Sequence, residues 1–545
     1  PPAPAQPKPP APAAPAAPPG PPPIKIAALQ VEPAKFTLSG KWSSQVISVI
    51  GQLSDGTIRD LSSAAELKSA NPAIAEVGKD GIVRPMSDGD VPITVVAKLG
   101  DSTASAQVVA SVKEAKNESA CFLRDVMPLV TKRGCNAAQC HGSALGKGEL
   151  RLSMFGAEPD ADYDALTKAH LGRRINRVEP IKSLVLLKAT NAVAHTGGAA
   201  IQPNSIEYTM LASWVAQGAP WGDDKLHKPV SVKVSPKDKV LPKGEAQQLL
   251  ARAVYADGSE RDVTRLASFA SSDPAVTSVD PSGKVKAEGF GEAVVSVTFM
   301  RWSDTVRVLT PQPLPGPFPK IEPNNKIDEL VFAKLQKLGF PPSELCSEEV
   351  FVRRAYLDVI GLLPKPEEVR AYLADPDPKK RSKLIDRLLD RDEYADFWAL
   401  KWSDLLRIKS EYPVRVWPRG VLTYYRWVHD SIAANKPYDQ FVRELITANG
   451  SNFRVGASNY YRAVQKREPQ TYAEATAVLF MGARLDCARC HGHPTENWSL
   501  DDGLGMAAFF SKVAIKATQE WKEEVVYANP YGGVYHPRTR EYVPP

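Results

Sequence analysis

Cysteine is scarce: the chain has six in 545 residues. Four of the six sit in two short motifs that each close on Cys-His, which excludes a disulfide framework as the basis of the fold. No run reaches the roughly 20 apolar residues that a membrane-spanning helix needs, so no segment is expected to cross a bilayer. Basic blocks interleaved with aromatic residues are missing too, and the net charge of +6 is mild for this length, so no nucleic-acid partner is expected. There is no Gly-x-Ser-x-Gly elbow, phosphate loop or His-Glu-x-x-His helix, which leaves the corresponding hydrolase, phosphoryl-transfer and zinc-peptidase chemistries without sequence support. The chain opens on Pro1-Pro2 rather than methionine, as expected of a processed or trimmed N-terminus.

What is abundant is proline, 48 residues unevenly placed. Residues 1–23 are proline and alanine apart from Gln6, Lys8 and Gly20. Such a composition cannot bury a core and favours polyproline II, so this part is expected to be a tether, a passive leader being the alternative. A second proline-rich stretch at 312–323 reads as a linker.

An internal repeat organises the first half. Residues 55–97 match 257–299 without gaps at an offset of 202: Asp55-Gly56 with Asp257-Gly258, Arg59-Asp60 with Arg261-Asp262, Gly81 with Gly283 and Val95 with Val297. Both copies alternate apolar and polar residues in short runs between Asp-Gly and Asn/Asp-Pro turns, the pattern of an antiparallel sandwich. The Asp-Gly-x-x-Arg-Asp stretch resembles group 2 bacterial immunoglobulin-like domains, which implies a spacing and presenting role. Residues 24–113 and 226–311 are assigned to these two modules.

Residues 114–225 and 324–545 instead show helical periodicity, in Glu118–Lys132, Asp160–Ala169 and Ser205–Gln217, then in Asp328–Leu338, Ser347–Gly361, Lys379–Leu389, Glu393–Ile408 and Tyr438–Thr447. The second region is expected to be all-helical to about residue 515. The whole is therefore read as a multidomain chain of two all-β immunoglobulin-like sandwiches and two mainly α-helical domains that bind c-type haem.

The haem expectation rests on chemistry. Covalent attachment of haem c requires two thiols close enough to bond the two vinyl groups of one porphyrin, with a histidine immediately after them to reach the iron. Cys487, Cys490 and His491 meet that requirement. A zinc site that also used His493 and a redox dithiol are the other chemistries open to the same residues. Cys135, Cys140 and His141 keep the Cys-His ending with four residues between the thiols, and a disulfide-bonded loop is the alternative there. Cys121 and Cys346 are left to pair with each other or to stay as buried thiols.

Val126-Met127-Pro128, Gly134 to Gly142, Ser183-Leu184 and Trp214 to Ala219 make 126–221 similar to planctomycete-type cytochrome c domains. That family often supplies a distal methionine, whereas this chain has His195-Thr196-Gly197-Gly198 in that region. His195 is accordingly the expected distal ligand, with Met210 and Met154 as substitutes. Phe351 to Asp358, Gly361 to Pro364, Lys401 to Arg407, Asn435 to Asp439 and Cys487 to Pro494 make 324–545 resemble a planctomycete helical domain of unknown function. For its haem, His536 or Met506 is expected on the distal side, and Arg173, Arg174 and Arg484 are candidates for the propionates. The resemblances imply two covalent haems c, export to the periplasm or cell surface, electron transfer with a redox partner protein, and attachment to a surface or membrane-associated complex through the tether. A haem enzyme with an open distal site and a surface structural or polymer-binding protein are the alternative functions; the sequence assigns no catalytic residue.

Overall fold

Alternation along 24–113 becomes two facing sheets in the computed structural model, which describes residues 24–143, 145–489, 498–537 and 539–545. One sheet orders strands Ile26–Glu32, Ser48–Leu53 and Ile58–Asp60; the other orders Lys35–Ser39, Ser102–Lys113, Gly89–Leu99 and Ala65–Ser69. Within Gly89–Leu99 the alternate residues Val91, Ile93, Val95 and Ala97 are fully buried while their neighbours are not, the period of two that seats one strand face on a core.

The second copy repeats the plan. Pro229–Ser235, Leu250–Tyr255 and Glu260–Asp262 form one sheet, and Lys239–Val240, Trp302–Thr310, Gly291–Phe299 and Ser268–Ser271 form the other. Each four-stranded sheet carries one parallel pairing, Lys35–Ser39 along Ser102–Lys113 and Lys239–Val240 along Trp302–Thr310. The residue pair Gln45 and Val83 recurs as Gln247 and Val285, so the repeat offset of 202 holds in backbone pairing as well as in sequence.

The two copies also face each other. Asp60 Oδ2 accepts hydrogen bonds from the Gln248 backbone N–H at 2.7 Å and from Gln247 Nε2 at 2.6 Å. Asp262 Oδ2 accepts from the Val46 N–H at 2.5 Å and from Gln45 Nε2 at 3.1 Å. Three positions of one copy thus meet the same three positions of the other, the self-complementary contact of a twofold dimer built within one chain.

Residues 114–225 fold as Phe122–Val126, a π-helical turn running into Met127–Lys132, then Pro159–Thr167, Leu184–Ala189 and Ile206–Ala216. Ser205 caps the last helix by accepting from the Tyr208 N–H, which frees its apolar face to place Trp214 fully inside. Phe122 meets Tyr163 edge-on at 5.3 Å and stacks on Trp221 at 5.7 Å. This module does not stand apart from the second sandwich: Phe122, Met127 and Trp214 share one continuous core with Tyr255, Val263 and Met300. The second sandwich is therefore the packing partner of the cytochrome-like segment and not a spacer beyond it. Buried Asp125 marks the junction, since Arg261 Nη1 lies 3.1 Å from its carboxylate while Arg261 Nη2 donates to the Trp42 carbonyl of the first sandwich at 2.9 Å. Cys121 and Cys346 are both free thiols, so the pairing considered for them is not made.

Beyond the linker, helices Lys326–Leu338, Glu348–Ile360, Lys380–Leu389, Asp392–Leu405 and Tyr438–Ile446 fall where periodicity places them. Pro366–Ala374 and Pro418–Ala433 are helices besides. The region is not purely helical: Gly450–Ser451, Glu524–Ala528 and Val513–Ala517 make a small sheet under the helical core.

Candidate functional site

The first Cys-His motif is a loop folded back on itself. Cys135 N–H donates to the Val130 carbonyl at the end of helix Met127–Lys132, and His141 N–H returns to the Cys135 carbonyl, each at 3.0 Å. The two extra residues of this motif are taken up inside that turn, so His141 still follows directly beside Cys135. Gly142 is required there, because a Cβ would sit 2.1 Å from the Asn136 carbonyl oxygen. Asn136 is buried and pins the loop through Nδ2 to Thr131 Oγ1 and the Ser153 carbonyl, both at 3.1 Å. Cys135 and Cys140 are unbonded thiols, and burial pushes the Cys135 thiol up to about 11.

His141 and His195, 54 positions apart in the chain, are brought together. Their rings lie 6.2 Å apart between centroids and 8° from parallel. His141 Nδ1 is 3.0 Å from the Lys147 carbonyl and 3.1 Å from that of Leu150; His195 Nδ1 is 3.0 Å from the Gly198 carbonyl. A carbonyl can only accept, so each ring carries its proton on Nδ1 and presents the Nε2 lone pair outward. Burial lowers the His141 pKa, keeping that ring neutral. The loop after His195 needs small residues: a Cβ on Gly197 would meet the imidazole at 2.9 Å.

An Nδ1–H donated to a backbone carbonyl is the usual support for a ligating histidine, and Cys135, Cys140, His141 and His195 are the residues of this module whose chemistry suits a covalently held haem. Leu145, Leu171 and Val178 of the same module are each more than 90% exposed. Met210 lies in the shared core, and Met154 lines a small cleft with Gly142, Leu152 and Asp162 next to the Cys-His loop. Neither arginine considered for a propionate is uncommitted: Arg174 is buried and donates to the Ala165 and Glu149 carbonyls, and Arg173 pairs with Glu149. Among the described residues no three His, Cys, Asp or Glu side chains converge as a protein-only metal site.

Of the second motif, Cys487 opens the short turn Cys487–Arg489, and burial followed by the charge of Asp486 raises its thiol pKa. Cys490, His491 and His493 lie outside the described residues. Arg489 ion-pairs with Glu468 and, at 3.6 Å, with Glu474. Helix Leu500–Ala508 touches both the Cys487 turn and strand Val534–Tyr535, which brings His536 to the same helix. There His536 Nδ1 accepts from the Thr539 N–H at 3.1 Å and Nε2 lies 3.7 Å from Asp501. Met506 packs against Ala477, Ala483 and Leu485, and Arg484 is exposed.

Sequence reasoning named Asn136, Gly142 and the Gly197-Gly198 pair within their motifs but gave them no structural part. The glycines beside each histidine were the available signal.

These features define a multidomain protein of immunoglobulin-like sandwiches, a cysteine-histidine module and a helical domain. Residues 326–515 match the family model PSCyt2, a protein of unknown function (DUF1549), and residues 230–308 match the bacterial Ig-like domain, group 2. The chain is 23% identical over 262 residues to Ice-binding protein 1 of Shewanella frigidimarina, covering 48% of this chain and 26% of that relative. It thus spans about a quarter of that protein. Domains 5–6 of the S-layer protein SbsC are 10% identical, covering 53% of this chain and 100% of that one at a TM-score of 0.23. Domains 4–9 of the same protein are 10% identical, covering 53% and 32% at a TM-score of 0.22.

Proposed function

We propose that the chain is an exported surface protein in which the paired sandwiches are a rigid frame and the cysteine-histidine modules hold haem c for electron transfer. The observation that carries the haem assignment is that His141, of the Cys-His motif, and His195 are brought within 6.2 Å between ring centroids, each with Nδ1 anchored to a backbone carbonyl. When bound, haem supplies a one-electron iron centre. Cys135 and Cys140 would tether it, and His141 and His195 would hold its iron. Cys487, Cys490 and His491 would hold a second haem in the helical domain. Two imidazole donors at the first site would favour electron transfer there over chemistry on a bound small molecule, and a lower potential than a His/Met pair.

The surface assignment draws on the frame. A repeat that buries two aspartates in a reciprocal interface serves rigidity more than chemistry, and the likeness to an ice-binding protein is in keeping with an extracellular scaffold. A pyridine haemochrome spectrum combined with intact mass on protein matured in a haem-c-competent host tests the haem assignment. Two attached haems are expected; none would reduce the protein to a structural surface module. Protease shaving of intact cells tests the location, and protection of the protein would exclude surface exposure.

A further inference from the structure

The helical domain holds a second feature, an aromatic cleft between helices Asp392–Leu405 and Tyr438–Ile446 and the end of Pro418–Ala433. Tyr394, Trp398 and Trp402 follow one another at four-residue spacing, which puts them on one helix face over about 12 Å. Tyr438 and Phe441 face them, with Trp402 centred 6.2 Å from Tyr438 and 5.2 Å from Phe441. Tyr438 keeps 56% of its surface exposed, so the cleft opens to solvent. The Trp398 indole N–H is already given to the Val359 carbonyl at 3.1 Å, which leaves Trp402 as the indole donor of the cleft. Polar groups are few: the Ser431 hydroxyl donates to the Trp427 carbonyl and Lys436 is paired with Glu444.

The chain carries a ligand of matching chemistry. Pro9, Pro12, Pro15, Pro18 and Pro21 recur every third residue. Polyproline II has three residues per turn and a rise of about 3.1 Å, so in that conformation these five would share one edge with a proline roughly every 9 Å, and its carbonyls would have no internal partners. Two successive edge prolines therefore match the run of three rings, and a ligand carbonyl can accept from Trp402. Grooves lined by Trp and Tyr recognise proline-rich segments in this way, favoured by a ligand that loses little entropy on binding. The segment has a single charge, Lys8, and the cleft's own cation is neutralised. A saccharide, the other ligand that stacks on aromatic faces, would need more uncommitted polar groups than Asn435 and Ser431 provide.

We propose that the cleft formed by Tyr394, Trp398, Trp402, Tyr438 and Phe441 binds the proline ridge of residues 1–23. A chain beginning at Ile24 keeps every residue of the five described hydrophobic cores. Labelled peptide 1–23 titrated into that chain is expected to give saturable anisotropy and to quench tryptophan emission. Tyr438→Ala, at an exposed position, and Trp402→Leu are each expected to weaken binding about tenfold, the equivalent of about 1.4 kcal/mol. A peptide of identical composition with the three-residue period broken is expected to lose binding. Equal thermal midpoints of variant and parent show that the fold is kept. Absent saturation, binding unaffected by both variants, or equal binding of the permuted peptide would overturn the proposal. So would displacement of the peptide's role by neutral oligosaccharides that bind in a Tyr438-dependent manner while the peptide does not.

Discussion

Asp60 and Asp262 are one residue of the repeat used twice across a single interface, each carboxylate accepting a backbone N–H and a glutamine amide from the opposite copy. Burial raises the pKa of both, and the four donated hydrogen bonds offset that desolvation. Symmetry of this kind makes the two sandwiches one body. Asp60→Ala and Asp262→Ala are each expected to cost about 1–3 kcal/mol, because buried donors lose their acceptor. The double variant is expected to cost less than the sum, since the sites share an interface. Denaturant melts of the double-mutant cycle read this coupling, and strict additivity would contradict a joint interface.

Arg261→Ala is expected to cost about 1–3 kcal/mol, since it removes one of the two arginines on the buried Asp125 carboxylate, Arg124 remaining at 3.0 Å, and releases the Trp42 carbonyl as well. Limited proteolysis should then separate the first sandwich from the cysteine-histidine module. Arg59→Ala removes the equivalent residue of the first copy, whose partner Glu245 lies 2.7 Å away at a more exposed position, and is expected to cost under about 1 kcal/mol.

Asp162 gives a pH signature. Its carboxylate accepts from Ser153 N–H and Oγ, each at 2.5 Å, and burial pushes its pKa from 3.8 up to about 7. A raised folded-state pKa means that the folded chain binds the proton more tightly than the unfolded one. The stability it contributes is complete below the unfolded value and is lost as pH rises through about 7, at about 1.4 kcal/mol per pH unit inside that window. Asp162→Asn imitates the protonated acid, donating to Ser153 Oγ while accepting from the N–H. Urea melts at pH 5 and pH 8 should therefore differ less in this variant than in the parent.

In haem-loaded protein, His195→Met is expected to raise the reduction potential, and His195→Ala to turn a low-spin spectrum into a high-spin one. Optical titration and electron paramagnetic resonance distinguish these outcomes. Spectra indifferent to both substitutions would remove His195 from the site.

Gly142→Ala is expected to disrupt the Cys135 to His141 turn, since the added methyl would overlap the Asn136 carbonyl. Reduced haem incorporation at this motif, with incorporation at Cys487 unchanged, is the result to look for by peptide mass mapping.

Much of this protein was legible in order along the chain because its signals are local. Alternation with Asp-Gly turns marks the strands, the 202-residue offset exposes the duplication, and four-residue apolar spacing finds most helices. Pro366–Ala374 and Pro418–Ala433, each opening on a proline at its first turn, belong to the region read as helical throughout. The short sheet around Glu524–Ala528 escaped because its partner strand Gly450–Ser451 is two residues long. By itself the sequence determined the modules, their order and the presence of thiols beside histidines, all of which are properties of neighbours. Only the tertiary structure decided that His195 faces His141, that His536 is taken up by Thr539 and Asp501, and that the second sandwich completes the core of the cysteine-histidine module. Those pairings join residues far apart in the chain, and they are fixed by how buried surfaces pack, a quantity that no local pattern of residues contains.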